Sequence, residues 1–316
     1  MSGIKVSPIG LGCWQFSQGR SIAGHYWANL DQATIDEIVS VSIVSGVNWF
    51  DTAEAYGRGQ SETSLARALH AAHIKTDQVH IATKWLPALR FATSITHSID
   101  QRLHHLGGFP ISLYQVHNPM SFSSVRRQMQ GMAKLLREKK IQAIGVSNFN
   151  AERMQQAIEA LHDEGFSLTS NQMRFSLLDR RVERNGVLEL ARKHHVTIIA
   201  YSPLAHGLLN GRFHDQPQMI HNLSGYRKFM PDFRESNIKA TQPLIDELKK
   251  IATAHQTTPA QIALSWVIQV HGDLVVAIPG ATTVRQAEQN ARAMRVKLSQ
   301  VEMQHLDEVS LASAKK

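Results

Sequence analysis

Four side chains that can hold or transfer a proton lie at the ends of three consecutive apolar runs of the chain. Asp51 and Tyr56 follow the first of these runs, Lys84 ends the second, and His117 ends the third. A free tyrosine titrates at about pH 10, so it exchanges protons poorly at neutral pH unless its pKa is lowered. The Lys84 ammonium would lower that pKa, and the Asp51 carboxylate would keep a buried Lys84 charged. With His117 bound to a substrate oxygen, the set predicts a site that polarises and protonates a carbonyl.

Each of these residues also has an ordinary structural interpretation when it is taken alone. An aspartate at a strand end often caps a turn, a loop tyrosine usually packs, and isolated lysines and histidines are usually solvated or structural. Their arrangement on neighbouring strand ends favours the catalytic interpretation, because parallel barrels carry their catalytic groups at the carboxyl ends of strands.

Short apolar runs alternate with amphipathic stretches along the chain, as expected of strands that are buried on both faces. Residues 31–45, 61–73 and 124–140 have helical periodicity, and Thr258 and Thr283 each begin a capping-box spacing with a glutamine three residues later. Eight strand–helix units predict a closed (β/α)8 TIM barrel, as a single domain over residues 1–316. We expect an extended loop after strand 7, over about 207–240, and a C-terminal helix. The expected strands are 9–14, 48–52, 79–84, 111–117, 143–148, 168–173, 197–202 and 274–279.

The composition narrows the class of protein. Apolar residues make up 43% of the chain and charged residues 19%, which suits a folded core and argues against a disordered chain. The single cysteine, Cys13, excludes an intramolecular disulfide and a cysteine-rich metal site. The net charge of +8 suits a phosphate-bearing ligand but does not require nucleic acid. We see no signal peptide or membrane-spanning run, and therefore expect a cytoplasmic protein.

At its strand ends the chain resembles the aldo-keto reductases. The resemblance is carried, in order along essentially the whole chain, by residues 51–57, Lys84, 117–119, 145–149, 201–204 and 278–281. It implies a (β/α)8 barrel and NADPH-dependent reduction of aldehydes or ketones to alcohols. By the same resemblance Tyr56 would be the general acid and Lys84 its pKa partner. Asp51 would pair with Lys84, and His117 would orient the carbonyl.

The resemblance also implies a cofactor site. Ser147, Asn148 and Gln172 would hold the nicotinamide carboxamide, and Phe175 would stack on the nicotinamide where relatives usually have tyrosine. A loop after strand 7 would wrap the pyrophosphate, with Arg212 as a cation beside it. That loop comprises Tyr201, Ser202, Pro203, Leu204, Ala205, Gly207 and Leu209, and the adenosine site comprises Ile278, Gly280, Thr282, Gln286, Gln289 and Asn290.

The chain departs from the family pattern at two places. Many relatives carry Lys or Arg at the positions of Gly280 or Thr282, where a cation meets the 2′-phosphate of NADPH. Here the nearest cations are Arg285 and the more distant Arg212, so NADH stays an alternative cofactor. The segment before strand 1 is short, and we expect the hairpin that usually closes the bottom of the barrel to be shortened.

Tryptophans near the strand ends are candidates for the walls of an apolar substrate pocket. Trp14 and Trp85 fit this role, and the pair Tyr26 and Trp27 would border the same pocket, although ordinary packing at the rim remains an alternative. His70 and His73 are separated by a spacing that is common in proteins, so the pair does not predict a metal site. We expect a small-molecule carbonyl substrate and no nucleic-acid partner, and leave the oligomeric state open.

Two other functions are alternatives to the reductase. An NADP-binding regulatory subunit, like the β subunits of potassium channels, would bind the cofactor tightly without turnover. A glycosidase would need two facing carboxylates at the rim, and Asp51 and Glu54 lie too close together in sequence to provide them.

Overall fold

Eight parallel strands lie side by side in chain order and form one sheet. The computed structural model describes residues 3–18, 29–223 and 229–313. Bridges between the two ends of the sheet close it, since the Gly10 amide donates to the Ala277 carbonyl at 2.8 Å and the Gly12 amide donates to the Pro279 carbonyl at 3.1 Å. The closed (β/α)8 barrel is therefore confirmed. The strands are β1 (Leu11–Gly12), β2 (Trp49–Asp51), β3 (His80–Trp85), β4 (Ile111–Val116), β5 (Ile144–Ser147), β6 (Ser170–Arg174), β7 (Thr197–Tyr201) and β8 (Val275–Ala277).

Helices surround the barrel, and the longest connection follows β7. Between β7 and α8 the chain forms only the short α7 and short 3₁₀ segments, at Ala205–Asn210, Pro217–Asn222 and Pro231–Phe233, in its described part. The helices are α1 (Gln32–Val44), α2 (Gln60–Ala71), α3 (Thr93–His105), α4 (Val125–Arg137), α5 (Ala151–Asp163), α6 (Val187–Lys193), α7 (Arg212–Asp215), α8 (Glu235–Ala254), α9 (Pro259–Gln269), α10 (Val284–Arg292) and α11 (Gln300–Ser313). The extended loop and the C-terminal helix are both present.

The helix starts follow the expected cap chemistry, with one exception. Thr258 caps α9 and forms a complete capping box with Gln261. Thr283 accepts a hydrogen bond from the Gln286 amide and so caps α10. The second half of that box is absent, because the Gln286 side chain instead accepts hydrogen bonds from the backbone and hydroxyl of Thr282, at 2.8 and 3.0 Å. The expected capping box at this helix is therefore confirmed for the Thr283 side chain and wrong for the Gln286 side chain.

The N-terminal segment covers the bottom of the barrel. Ile4 and Val6 pack against a cluster of buried side chains from the barrel strands that includes Trp49. The Ser7 amide donates to the Asn48 side chain at 2.7 Å, and the Trp49 indole donates to the Ser7 carbonyl at 2.9 Å. In the described residues before β1 there is no strand, so two apolar side chains and these hydrogen bonds close the base where a shortened hairpin was expected.

Among the described helices, none combines the length and the apolar character that a membrane span requires.

Candidate active site

Lys84 and Asp51 form a buried ion pair inside the barrel, near the upper end of the strands. The Lys84 ammonium donates to Asp51 Oδ1 and, at 2.9 Å, to the Thr52 carbonyl. The two residues are 0% and 1% exposed. A buried charge is tolerated only when it is paired and hydrogen-bonded, and both partners meet that requirement here.

Tyr56 lies against this ion pair. Its ring centroid is 5.0 Å from Lys84 Nζ, close enough for the ammonium to act on the phenol. Burial raises the pKa of Tyr56, the Lys84 charge opposes that rise, and the Asp51 carboxylate adds to it. The pKa of Lys84 is raised although burial alone would lower it, because Asp51 and Tyr56 both favour the charged form. The Lys84 ammonium thus acts on the pKa of Tyr56 in the expected direction, but desolvation outweighs it, so the pKa is raised.

His117 is the second polar ring beside Tyr56. The two ring centroids are 5.6 Å apart, and the planes meet nearly at a right angle, at 82°. Burial and the Lys84 charge lower the pKa of His117 to about 3. The imidazole is therefore neutral near pH 7 and carries one N–H. Its Nδ1 has no hydrogen-bond partner among the described residues, so the ring has bonding capacity left for a ligand.

A second polar cluster lies at the ends of β5, β6 and β7. The Ser147 hydroxyl donates to the Gln172 carbonyl at 3.1 Å, and the Asn148 amide donates to Ser147 Oγ at 3.0 Å. The Tyr201 hydroxyl in turn donates to Asn148 Oδ1 at 2.9 Å. Asn148 has a φ of 59°, in the left-handed region that asparagine tolerates better than most residues. The cluster thus holds amide and hydroxyl groups in fixed positions.

A cavity of about 760 Å³ connects the two clusters with the start of α10. This volume lies within the range of small-molecule and cofactor pockets. Most of the residues expected to bind ligands contribute to its lining. They are Trp14, Asp51, Tyr56, His117, Ser147, Asn148, Gln172, Tyr201, Ser202, Pro203, Leu204, Gly207, Arg212, Ile278, Gly280, Thr282, Gln286, Gln289 and Asn290.

Sequence comparison assigns the family to which this fold and site belong. The pattern of the "Aldo/keto reductase family" matches residues 8–311. The chain belongs to the aldo/keto reductase family. An uncharacterized oxidoreductase of Mycobacterium tuberculosis is 36% identical over 295 residues, which is 93% of this chain and 86% of the relative.

Two solved structures of similar proteins also cover nearly all of the chain. A glycerol dehydrogenase from Gluconobacter oxydans has a TM-score of 0.83 at 25% identity and covers 97% of this chain and 92% of its own. An aldo/keto reductase from Klebsiella pneumoniae, solved in complex with NADP and acetate, has a TM-score of 0.74 at 26% identity. The match covers 98% of this chain and 93% of that protein's chain.

Two aromatic residues of this aldo/keto reductase do not lie where they were expected. Trp85 is fully buried, and its indole donates to Ser94 Oγ at 3.1 Å, so it packs behind the rim and does not wall the cavity. Phe175 is also fully buried, against the rings of Trp266 and His271 at 5.5 and 5.8 Å. The expectation that these two side chains line the cavity was therefore wrong, because both rings pack against other buried side chains.

Three further candidates are buried and do not line the cavity themselves. Lys84 reaches the site through its contacts with Asp51 and Tyr56. Ala205 and Leu209 are buried, at 2% and 0% exposure, and anchor the segment after β7. Trp14 is in place beside Tyr56, at 6.1 Å between ring centroids. The predicted pair at positions 26 and 27 lies outside the described residues.

Sequence reasoning missed several polar residues that line the cavity, among them Gln15 and Arg174. Gln15 is 7% exposed, its Oε1 has no partner among the described residues, and its amide lies against Gly280 so closely that a Cβ there would collide with it. Arg174 is the last residue of β6 and pairs with Asp232 at 3.0 Å. Their positions could have identified them, because Gln15 follows β1 and Arg174 ends β6, at the same rim as the four proton-handling residues.

The α10 end of the cavity is neutral as far as the described residues extend. Thr282, Gln286 and Gln289 line it, whereas Arg285 is exposed and does not. Arg212 also lines the cavity, and its guanidinium lies over the Phe213 ring at 4.6 Å. Within residues 3–18, 29–223 and 229–313, no three His, Cys, Asp or Glu side chains converge as a metal site would require.

Proposed function

We propose that this protein is an NADPH-dependent oxidoreductase that reduces small aldehydes or ketones to alcohols, with Tyr56 as the general acid. The observation that carries the proposal is the convergence of the Lys84–Asp51 ion pair, Tyr56 and His117 at one end of a cavity of cofactor size. We further propose a single barrel domain over residues 1–316, located in the cytoplasm and without a nucleic-acid partner.

The residues present fit a nicotinamide cofactor. The fixed hydroxyl and amide groups of Ser147, Asn148 and Gln172 match the donors and acceptors of a carboxamide. Tyr201 is the aromatic ring that lines the cavity beside them, and we propose that it provides the stacking surface expected of Phe175. The Oε1 of buried Gln15, which has no hydrogen-bond partner in the described part of the chain, supplies a further acceptor. When bound, the reduced nicotinamide supplies the hydride.

The chain's own residues account for the movement of the proton. The neutral imidazole of His117 donates a hydrogen bond to the substrate carbonyl oxygen and holds it beside Tyr56. The Tyr56 hydroxyl then gives its proton to that oxygen as it gains negative charge. Lys84 stabilises the phenolate that remains, and Asp51 keeps the buried ammonium charged. Alcohol oxidation would use the same groups in reverse.

The charges around the cavity bear on the choice of cofactor. Arg212 lines the cavity and has no carboxylate partner among the described residues, so it is available to the pyrophosphate. The first turn of α10 also favours an anion. The neutral adenosine end offers the 2′-phosphate of NADPH no lining cation in the described part of the chain. We therefore propose that NADPH is used with only weak discrimination against NADH.

The deciding experiment measures NADPH oxidation over a panel of aldehydes and ketones, with wild-type protein, Tyr56→Phe and an NADH control. We expect turnover in the wild type and a loss of about 10²- to 10⁴-fold in Tyr56→Phe, since that is the usual contribution of a positioned acid. Near-normal turnover in Tyr56→Phe would contradict the assignment of the acid. Cofactor binding without any turnover would favour a regulatory NADP-binding protein, and absence of binding would exclude both functions.

A further inference from the structure

The Asp51 carboxylate is held by both of its oxygens. Oδ1 accepts from Lys84, whereas Oδ2 accepts from the side-chain amides of Gln115, at 3.2 Å, and Gln172, at 2.8 Å. The Gln172 amide nitrogen is also 3.5 Å from Gln115 Oε1, so the two glutamines contact each other. Both are buried, at 0% and 3% exposure. The carboxylate therefore has its orientation fixed by three side chains from three other strands.

Gln115 does not line the cavity, so its role lies in its contacts with other side chains and not in ligand binding. It lies in register with Lys84 on β3 and with Gly145 on β5. A Cβ at position 145 would come within 2.9 Å of Gln115 Cγ, so the glycine leaves the space that the glutamine occupies. A buried amide costs free energy unless it is hydrogen-bonded, and the partners of this one are the Asp51 carboxylate and Gln172.

We propose that Gln115 is a positioning residue for proton transfer, which anchors Asp51 Oδ2 so that Oδ1 stays on Lys84 and Lys84 faces Tyr56. The inference rests on the proposed role of Tyr56 as the proton donor. An N–H donor to a carboxylate stabilises its negative charge. Without the Gln115 amide, the negative charge of Asp51 is less stabilised, and it interacts more strongly with Lys84 and with the Tyr56 phenol.

Among the described residues, four ionisable groups act on Tyr56 or lie against it, from the elements packed around it. They are Lys84 on β3, Asp51 on β2, Cys13 after β1 and His117 after β4. Of these four, Asp51 is the group that Gln115 contacts. A substitution at Gln115 therefore reaches Tyr56 through Asp51 and Lys84, and we expect it to raise the pKa of Tyr56.

The Tyr56 hydroxyl can be titrated without cofactor or substrate, by NMR of protein carrying 13Cζ-labelled tyrosine. The chain has five tyrosines, and the Tyr56 signal is assigned by its loss in Tyr56→Phe. Gln115→Met removes the amide at a similar side-chain length. We expect the titration midpoint of Tyr56 to rise by about half a pH unit or more. Gln128→Met is the matched control, since Gln128 is a buried glutamine of α4 that bonds the Ser123 carbonyl, away from the cavity.

Asp51→Asn establishes that the midpoint responds to the carboxylate, and it should lower the midpoint because Asp51 raises the pKa of Tyr56. If Gln115→Met leaves the midpoint unchanged or lowers it while Asp51→Asn moves it, the positioning role is overturned. If Gln115→Met does not fold, Gln115→Asn replaces it, with the amide withdrawn by one methylene and the same expected shift. Since the titration requires no turnover, an inactive protein would contradict the proposed function alone.

Discussion

Arg174 at the end of β6 donates to Asp232 at 3.0 Å and so joins the rim of the barrel to the segment that follows β7. Arg174 lines the cavity, and its guanidinium also lies 3.4 Å from Asp179. The ion pair is half-buried, at 29% and 18% side-chain exposure, and it connects residues that are 58 positions apart in sequence. It therefore restrains the extended segment beside the proposed cofactor site.

Asp232→Asn should release part of this restraint. We expect the NADPH dissociation rate, followed by stopped-flow fluorescence, to rise by about 3- to 10-fold, which corresponds to roughly 0.6–1.4 kcal/mol. Asp77→Asn, which changes an exposed carboxylate before β3, is the control and should leave the rate unchanged. An unaltered dissociation rate in Asp232→Asn would show that the segment is held by its other contacts.

Lys84→Met should destabilise the protein as well as impair its chemistry. Removal of the ammonium leaves the buried Asp51 carboxylate without its charged partner, and such changes typically cost about 3–5 kcal/mol of unfolding free energy. The double variant Lys84→Met/Asp51→Asn should recover much of that stability, because the remaining side chain is neutral, but it should recover no carbonyl reduction. Urea denaturation measures the first effect and NADPH oxidation the second. Parallel recovery of stability and activity would contradict a role for Lys84 in proton transfer.

His117 should make the stability of the protein depend on pH. Burial lowers its pKa to about 3, so between that value and the ordinary value of 6.5 the unfolded chain binds a proton that the folded protein does not. The free energy of unfolding therefore falls as the pH decreases through this range, by up to about 1.4 kcal/mol per pH unit.

The comparison with His117→Gln isolates this effect. Between pH 6.5 and 5 the wild type should lose about 2 kcal/mol more than His117→Gln in urea denaturation. His221→Gln changes an exposed histidine and should keep the wild-type pH dependence. The interpretation fails if His117→Gln and the wild type lose stability in parallel.

Gln286→Arg should increase the preference for NADPH. The substitution places a cation in the neutral lining of the α10 end of the cavity, where we propose that the 2′-phosphate lies. We expect the Kd ratio of NADH to NADPH to rise about tenfold, and the NADPH Kd to become more dependent on salt, because the added contact is ionic. Gln304→Arg adds the same charge on the exposed surface of α11 and serves as the control. Equal changes in the two variants would indicate a general effect of net charge.

The strands and the proton-handling residues could be predicted because local pattern determines both. Buried apolar runs mark the strands, and Asp51, Lys84 and His117 lie at or directly after their ends. The position of Phe175 could not be read in this way. It is the first residue after β6, and tertiary packing against Trp266 decides which way its ring turns. The direction of the Tyr56 pKa shift was equally out of reach, since it depends on a balance between burial and charge that only geometry fixes.

The proton-handling groups and the outer wall of the cavity are built by different parts of the chain. The contacts of Asp51 described above come from side chains on β3, β4 and β6, which are internal to the barrel. Among the described residues, the outer wall of the cavity comes from the connection after β7 and from residues 13–15 after β1. On the proposed function, changes in those segments would alter how substrate and cofactor are held, whereas the contacts that fix Asp51 and Lys84 inside the barrel would stay in place. Natural divergence of substrate range within one fold can proceed by the same route.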